Sequence, residues 1–428
     1  MAPMDTKTGV RRHFLEGKTI IIAGAGVAGS AFLVGLRRLW NPEWKSPTIH
    51  IYDRDSQETT AQRETYTLSL AGYDATGGLS AIRNLGLLDQ TLDKAVSGLD
   101  STGAFKIWGP DWKEHISFRH KPFEGLPASS IRIPRKDLRQ VLHDGFGPED
   151  TVEWGAKCVS AQRLEDGRIR VQVVRGASDQ ETTTEEECDI LIAADGASSK
   201  LRAYLRPDDN LDFAGAVLRG GVSRFEGPLP KPLGQDWGFM LSGTGISCFF
   251  SPVDKNSLVW TVGRLEDTPV PPLDLKDAEQ VQAVIDRGLE LGSELQEPFR
   301  TVVANTDLKT VLSINARDKK PFVHEKVDEL PVIFIGDANH ALSPFSGYGA
   351  NLALADAWDL AEQLCKRETL QEAVAAYDKL AAPRATRILK GSRARLKAGH
   401  STGVQYWMFW LMLVVGKFMG WVLGRKVT

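Results

Sequence analysis

The chain has 428 residues, enough for a large buried core and two folding units. A formal net charge of −3 and a pI of about 6.3 exclude the basic footprint that nucleic-acid binding requires. Its four cysteines, Cys158, Cys188, Cys248 and Cys365, are isolated, which argues against a disulfide framework or a zinc site and for a reducing compartment.

Residues 1–17 hold no apolar signal-peptide core, so a cytoplasmic protein is expected. Lys18-Thr19-Ile20-Ile21-Ile22-Ala23 predicts a buried strand, and Ser30 to Trp40 a helix. Between them stands Gly24-Ala25-Gly26-Val27-Ala28-Gly29, a G-x-G-x-x-G run with a strand before it and a helix after it. Gly24 suits the tight turn, Gly26 the approach of a pyrophosphate to the backbone, and Gly29 close helix–strand packing. The next strand, Thr48 to Tyr52, ends at Asp53, where an acid suits an unphosphorylated adenosine ribose.

Further along, Arg63 and Arg135 read on their own as solvated surface charges. Cys188 to Ala194 is a second apolar strand, ending at Asp195-Gly196, with small polar residues and Arg202 beyond; alone this reads as a turn. From Phe213 to Val262 the pattern changes to short segments, at 216–219, 237–241, 246–250 and 258–262, that predict antiparallel strands. Arg219 on the first of them faces either a pocket or a surface ion pair. Gly243-Thr244-Gly245 joins two of these strands and is not a phosphate loop. A proline run, 269–272, leads to a polar helix from Asp277 to Leu291.

Pro331 to Ile335 predicts a third buried strand, ending at Gly336-Asp337. A glycine-rich turn then opens a helix from Asn351 to Cys365. A carboxylate beside a helix N-terminus, with its unpaired N–H groups, suits a ligand carrying hydroxyls and an electron-rich edge. Arg384 to Lys397 is a basic helix pattern, and 406–424 is apolar but broken by Gly416, Lys417 and Gly420. Three readings of that last segment stay open: a helix packed on the protein or at a dimer contact, an interfacial membrane helix, and a membrane span.

The three strand ends, in this order, resemble the single-component FAD-dependent monooxygenases of the para-hydroxybenzoate hydroxylase superfamily, as the dinucleotide fingerprint, the DG motif and the GD motif. The resemblance spans about residues 17–382. Gly-Asp-Ala-Asn-His-Ala-Leu-Ser-Pro-Phe-Ser-Gly-Tyr-Gly-Ala-Asn, at 336–351, is similar to the wording of fungal secondary-metabolite and tetracycline-inactivating members. It implies an α/β fold: a Rossmann-like FAD-binding domain (17–98, 126–206 and 315–383) interleaved with an antiparallel-sheet substrate domain (99–125 and 207–314), plus a C-terminal helical segment (384–428).

The same resemblance implies roles. Gly24, Gly26 and Gly29 take the pyrophosphate of FAD, and Asp53, with Arg54 beside it, the adenosine ribose. Asp337 holds the ribityl chain, while Pro344, Gly347, Gly349, Ala350 and Asn351 lie along the isoalloxazine. Asp195 relates to FAD and NAD(P)H contacts, and Arg63 and Arg135 approach the flavin. NAD(P)H reduces FAD, O₂ gives a hydroperoxyflavin, and one oxygen hydroxylates or epoxidises an organic small molecule, expected to be an aromatic or polycyclic secondary metabolite. Tyr348 departs from the family, which commonly has Gln or Asn between the two glycines, so Tyr348 and Arg219 are the candidate catalytic residues. Asn339 replaces a commoner Ala, and His340 reads as a packed histidine. No metal is implied. The alternatives are a reductase or oxidase of the same fold, or a non-catalytic membrane-associated flavoprotein.

Overall fold

The computed structural model describes residues 12–56, 66–99, 102–176 and 181–422, the last seven as backbone alone. A five-stranded parallel sheet takes the order Val332–Phe334, Ile190–Ala193, Thr19–Ala23, Thr48–Asp53, Val152–Trp154. Its central strands are continuous apolar runs because both faces are covered. Helices Val27–Leu39 and Gly349–Lys366 cover one face, and their close approach leaves no room for bulk: a Cβ on Gly35 would lie 3.2 Å from that of Ala361. An antiparallel ribbon, Ala156–Arg163, Ile169–Arg175 and Thr182–Cys188, covers the other face, packing Val171, Val173 and Cys188 against Ile21 and Leu191.

A second sheet has seven strands in the order Thr306–Asp318, Asp212–Arg224, Ser257–Leu265, Ile246–Pro252, Trp237–Leu241, Phe105–Trp108, Glu114–Phe118. Trp108, Trp260, Phe250 and Phe299 fill one face beneath the helices Ala278–Leu291 and Phe299–Ala304. The longer helix starts where expected because the Asp277 carboxylate accepts the N–H groups of Glu279 and Gln280. A two-stranded piece, Thr67–Ala71 with Ser130–Pro134, bridges the two sheets, its Thr67 hydroxyl lying 3.0 Å from that of Ser251.

Two expected boundaries fall inside single elements. The one at 314/315 lies within the strand Thr306–Asp318, whose run of polar residues hides a strand pattern. The one at 383/384 lies within one 30-residue helix, Leu370–Gly399. Pro383 breaks neither end of it, since Arg384 is anchored at 3.0 and 2.7 Å to Asp356 and Asp359 of the preceding helix. The last helix, Gly403–Val422, lies on the second sheet through Tyr406, Phe409 and Leu413. Among the described residues no helix is long and apolar enough to cross a membrane. All four cysteines are free thiols, three of them buried.

Candidate active site

Parallel pairing puts the three motifs in one row. Ala23 pairs with Ala193 and Tyr52, and Ala193 with Phe334, so Gly24, Asp53, Asp195 and Gly336-Asp337 all leave the sheet at its carboxyl edge. Ligands of open α/β sheets bind outside that edge. The three fingerprint glycines differ in what limits them. Gly24 turns at φ +106°, and a side chain there would strike the Ala194 carbonyl; at Gly29 it would strike that of Gly24. At Gly26 a Cβ would meet nothing within 4 Å, so the space in front of it is open to a ligand. The helix from Val27 has no side-chain cap and no acid in its first turn, leaving its first N–H groups for an anion. His143 holds the loop from behind, its Nε2 3.2 Å from the Ala25 carbonyl. Nothing in the sequence marked that histidine.

The three carboxylates are set differently. Asp53 accepts the Ala25 N–H at 2.8 Å and the Asp55 N–H at 2.9 Å, so it braces the fingerprint turn. Asp195 accepts the N–H groups of Lys200 and Leu201 through one oxygen, while its other oxygen is buried with no partner among the described residues. Burial raises its pKa. Asp337 has no hydrogen-bond partner for its carboxylate among the described residues. Burial raises its pKa, against the pull of His340, Arg135 and Arg202. Its Oδ1 faces the open space at Gly349, 4.0 Å from where a Cβ would stand.

The segment carrying Asp337 is fixed by buried polar bonds. Asp356, fully buried on the helix Gly349–Lys366, accepts the Gly336 N–H at 3.0 Å and meets His340 Nε2 at 2.5 Å and Arg384 at 3.0 Å. Burial alone would raise the Asp356 pKa, but His340 and Arg384 hold it down at about 2. Burial would lower His340, and Asp356 outweighs it, so the imidazole pKa is raised. His340 is therefore a packed, ion-paired histidine. Arg202 of the DG segment donates to the Ala338 carbonyl at 2.8 Å and ties the two motifs together. Asn339 gains a role the sequence did not reveal: its amide accepts the Phe322 N–H at 3.0 Å and donates to the Phe322 carbonyl at 3.1 Å.

Beyond this anchor runs the loop expected under a flavin ring. Pro344 opens a one-turn helix, and Gly347 follows at φ +61°, a left-handed position that glycine accepts without strain. A Cβ at Gly347 would meet nothing within 4 Å. The next helix starts at Gly349 without a side-chain cap, so among the described residues the N–H groups of Gly349, Ala350 and Asn351 have no partner. The Asn351 side chain does not face that space. It is buried as a staple, its Oδ1 accepting the N–H groups of Ala71 and Gly78 at 2.7 and 2.9 Å and its Nδ2 donating to Ser69.

Tyr348 turns inward. Its hydroxyl donates to that of Tyr73 at 2.6 Å and lies 3.4 Å from Asp74, and the Tyr73 ring is 4.6 Å from that of His120. Burial raises both phenol pKa values, which keeps both as neutral donors near pH 7. Arg395, from the long C-terminal helix, donates to the Phe345 carbonyl at 3.3 Å and acts electrostatically on both phenols. Phe239, Phe249 and Phe345 form an aromatic wall from the second sheet to this loop.

Arg219 is not part of this site. Its neighbour Leu218 packs with Phe345 and Leu396, so alternation turns Arg219 to the far face of the sheet, 3.8 Å from Glu266. Arg54 is exposed and 3.9 Å from Asp55. Arg135 begins the helix Arg135–Asp144 with its guanidinium 5.8 Å from the Tyr66 ring centre, within electrostatic range of Asp337. Arg63 lies outside the described residues. Among those described, no His, Cys, Asp and Glu group could hold a metal.

A dinucleotide with a flavin ring fits what is present: open space at Gly26 and Gly347, two uncapped helix starts, and an unpartnered carboxylate at Asp337 between them. A family model described as FAD binding domain matches residues 290–392. The chain is 40% identical to monooxygenase cfoF of Aspergillus candidus, over 92% of this chain and 94% of the relative. It is 26% identical to an aurachin C monooxygenase/isomerase of Stigmatella aurantiaca, over 88% of each. Klebsiella pneumoniae HpxO, solved with FAD and uric acid, superposes with a TM-score of 0.73 at 18% identity, covering 96% of this chain and 97% of that one. With that relation to cfoF and with fingerprint, DG and GD segments meeting at one sheet edge, the chain belongs to the FAD-dependent monooxygenases of the para-hydroxybenzoate hydroxylase superfamily.

Proposed function

We propose that this monooxygenase hydroxylates or epoxidises an aromatic or polycyclic small molecule, held by an oxygen substituent at the Tyr348–Tyr73 pair. The observation that carries the reading is that pair itself, set in the loop between Gly347 and Gly349. FAD, reduced by NAD(P)H, supplies the activated oxygen when bound. The protein's own residues position and shield. Gly26 admits the pyrophosphate in the turn that Gly24 and Gly29 make possible, Asp53 and Asp337 accept ribose and ribityl hydroxyls, and Arg135 adds positive potential beside Asp337. The N–H groups of Gly349, Ala350 and Asn351 favour negative charge on the adjacent ring edge.

On the substrate side, Tyr348 donates to Tyr73, which leaves the Tyr73 hydrogen for a substrate oxygen. Arg395 favours an oxygen that carries negative charge, as a phenolate or enolate does. The aromatic wall of Phe239, Phe249 and Phe345 suits a flat ring system and keeps water away from it. A panel of phenols and polycyclic ketones tests this reading, with NAD(P)H oxidation, O₂ uptake and product mass measured together. Phenolic or enolisable members are expected to stimulate both and give products one oxygen heavier. If only compounds lacking such an oxygen are turned over, the substrate assignment fails.

A further inference from the structure

The helix Gly403–Val422 is apolar on two sides, and the fold uses one of them. Tyr406, Phe409 and Leu413 pack on Ile107, Ile116 and Leu241 of the second sheet. The opposite stripe is Val404, Trp407, Met408, Leu411, Met412 and Val415, each between 51 and 75% exposed. Spacings of three and four residues put all six on one face. Scattered exposed apolar side chains are ordinary, but a continuous stripe of this kind marks an interaction surface.

Charge selects the occupant. All 55 acidic residues lie at or before Asp378, together with 42 of the 52 Lys and Arg. Residues 379–428 therefore carry ten basic residues and no acidic one, in a chain whose remainder is −13. Lys417, Arg425 and Lys426 stand at the end of the stripe's own segment. Several of the others are neutralised inside, Arg384 by Asp356 and Asp359 and Arg393 by Asp318. A second copy docked on this stripe would bring two such basic segments together, whereas an anionic surface would complement them. Tryptophan, tyrosine and basic residues around an apolar stripe, on a helix whose described residues are not long and apolar enough to span, are the composition of a helix lying in a bilayer interface. We propose that the helix Gly403–Val422 docks this enzyme on anionic membrane surfaces, with its outer stripe in the lipid headgroup region and its inner face on the substrate-binding sheet.

Flotation of the full-length FAD-loaded protein with phosphatidylcholine vesicles, with and without a phosphatidylserine fraction, tests this directly. The wild type is expected to float with the anionic vesicles and to be released by high salt. A double variant, Trp407→Ser with Leu411→Gln, changes two exposed residues and is expected to weaken partition at least about tenfold, with flavin content and thermal midpoint unchanged. Lys417→Gln with Arg425→Gln and Lys426→Gln is expected to lose the preference for phosphatidylserine, by about fivefold per charge. Wild type that stays in solution with both vesicle types at low salt overturns the proposal. So does a dimer, seen by light scattering, that the double variant returns to monomer without any flotation. Neither result bears on oxygen transfer, which is measured separately.

Discussion

Single residues in the fingerprint separate folding from binding. Gly24 is limited by its own protein, through φ +106° and the Ala194 carbonyl, whereas Gly26 faces open space. Gly24→Ala is therefore expected to destabilise the flavin-free protein by about 1–3 kcal/mol, seen as a lower denaturant midpoint. Gly26→Val should leave that midpoint close to wild type yet yield protein without flavin, read from the visible absorbance. The Asp337 carboxylate has no hydrogen-bond partner among the described residues, so Asp337→Ala is expected to lose cofactor with little loss of apoprotein stability. Tyr348→Phe removes one hydrogen bond and no packing. It should retain FAD and lower kcat/KM by about tenfold, the value of about 1.4 kcal/mol for such a bond. An unchanged kcat/KM would take Tyr348 out of substrate recognition.

At the scale of elements, the anchor of the GD strand end is a buried charge network rather than a capping motif. Asp356 serves the Gly336 N–H, His340 and Arg384 at once, joining the strand end to two helices. Asp356→Asn removes one charge and strands two cations, which is expected to cost about 3–5 kcal/mol in thermal or denaturant unfolding. The network also sets a pH dependence. The folded pKa of His340 is raised above 6.5, so its contribution is complete below that value and is lost as pH rises through the folded pKa. Asp356 is held at about 2, so its contribution is complete above its ordinary value of 3.8 and is lost as pH falls toward 2. Wild-type stability should thus decline as pH rises above 6.5, and His340→Gln should remove that part of the decline. A wild-type curve parallel to the variant's over that range would contradict the ion pair.

Across the whole molecule, what was legible in the sequence is what local chemistry dictates. Gly24, Asp53, Asp195 and Asp337 stand at or just beyond strand ends, which can be read from apolar runs, and Gly26 and Gly29 follow in the turn and helix start after the first of them. The strands expected at 237–241 and 246–250 were visible for the same reason, and the structure has them at Trp237–Leu241 and Ile246–Pro252. What stayed hidden depends on distant partners. Asn351 belongs to a helix start by sequence and to Ala71 and Gly78 by contact. Arg219 needed the face of its strand, and Tyr348 needed Tyr73, 275 residues away. The strand Thr306–Asp318 has no alternation to read, because only scattered positions along it are buried. The helix Leu370–Gly399 carries a proline that would end an isolated helix, and its buried face and its ion pairs with the helix before it, both distant in sequence, hold it together across that proline.

These elements converge on one claim, that the sheet edge holds FAD and that the space beside Tyr348 receives a molecule to be oxygenated. Turnover under isotopically labelled O₂ tests it most directly, with the product analysed by mass spectrometry and NAD(P)H oxidation followed in the same reaction. One labelled oxygen atom per product, with one NAD(P)H consumed for each, is the expected result. A product that carries no labelled oxygen, with all the consumed O₂ recovered as hydrogen peroxide, would contradict it.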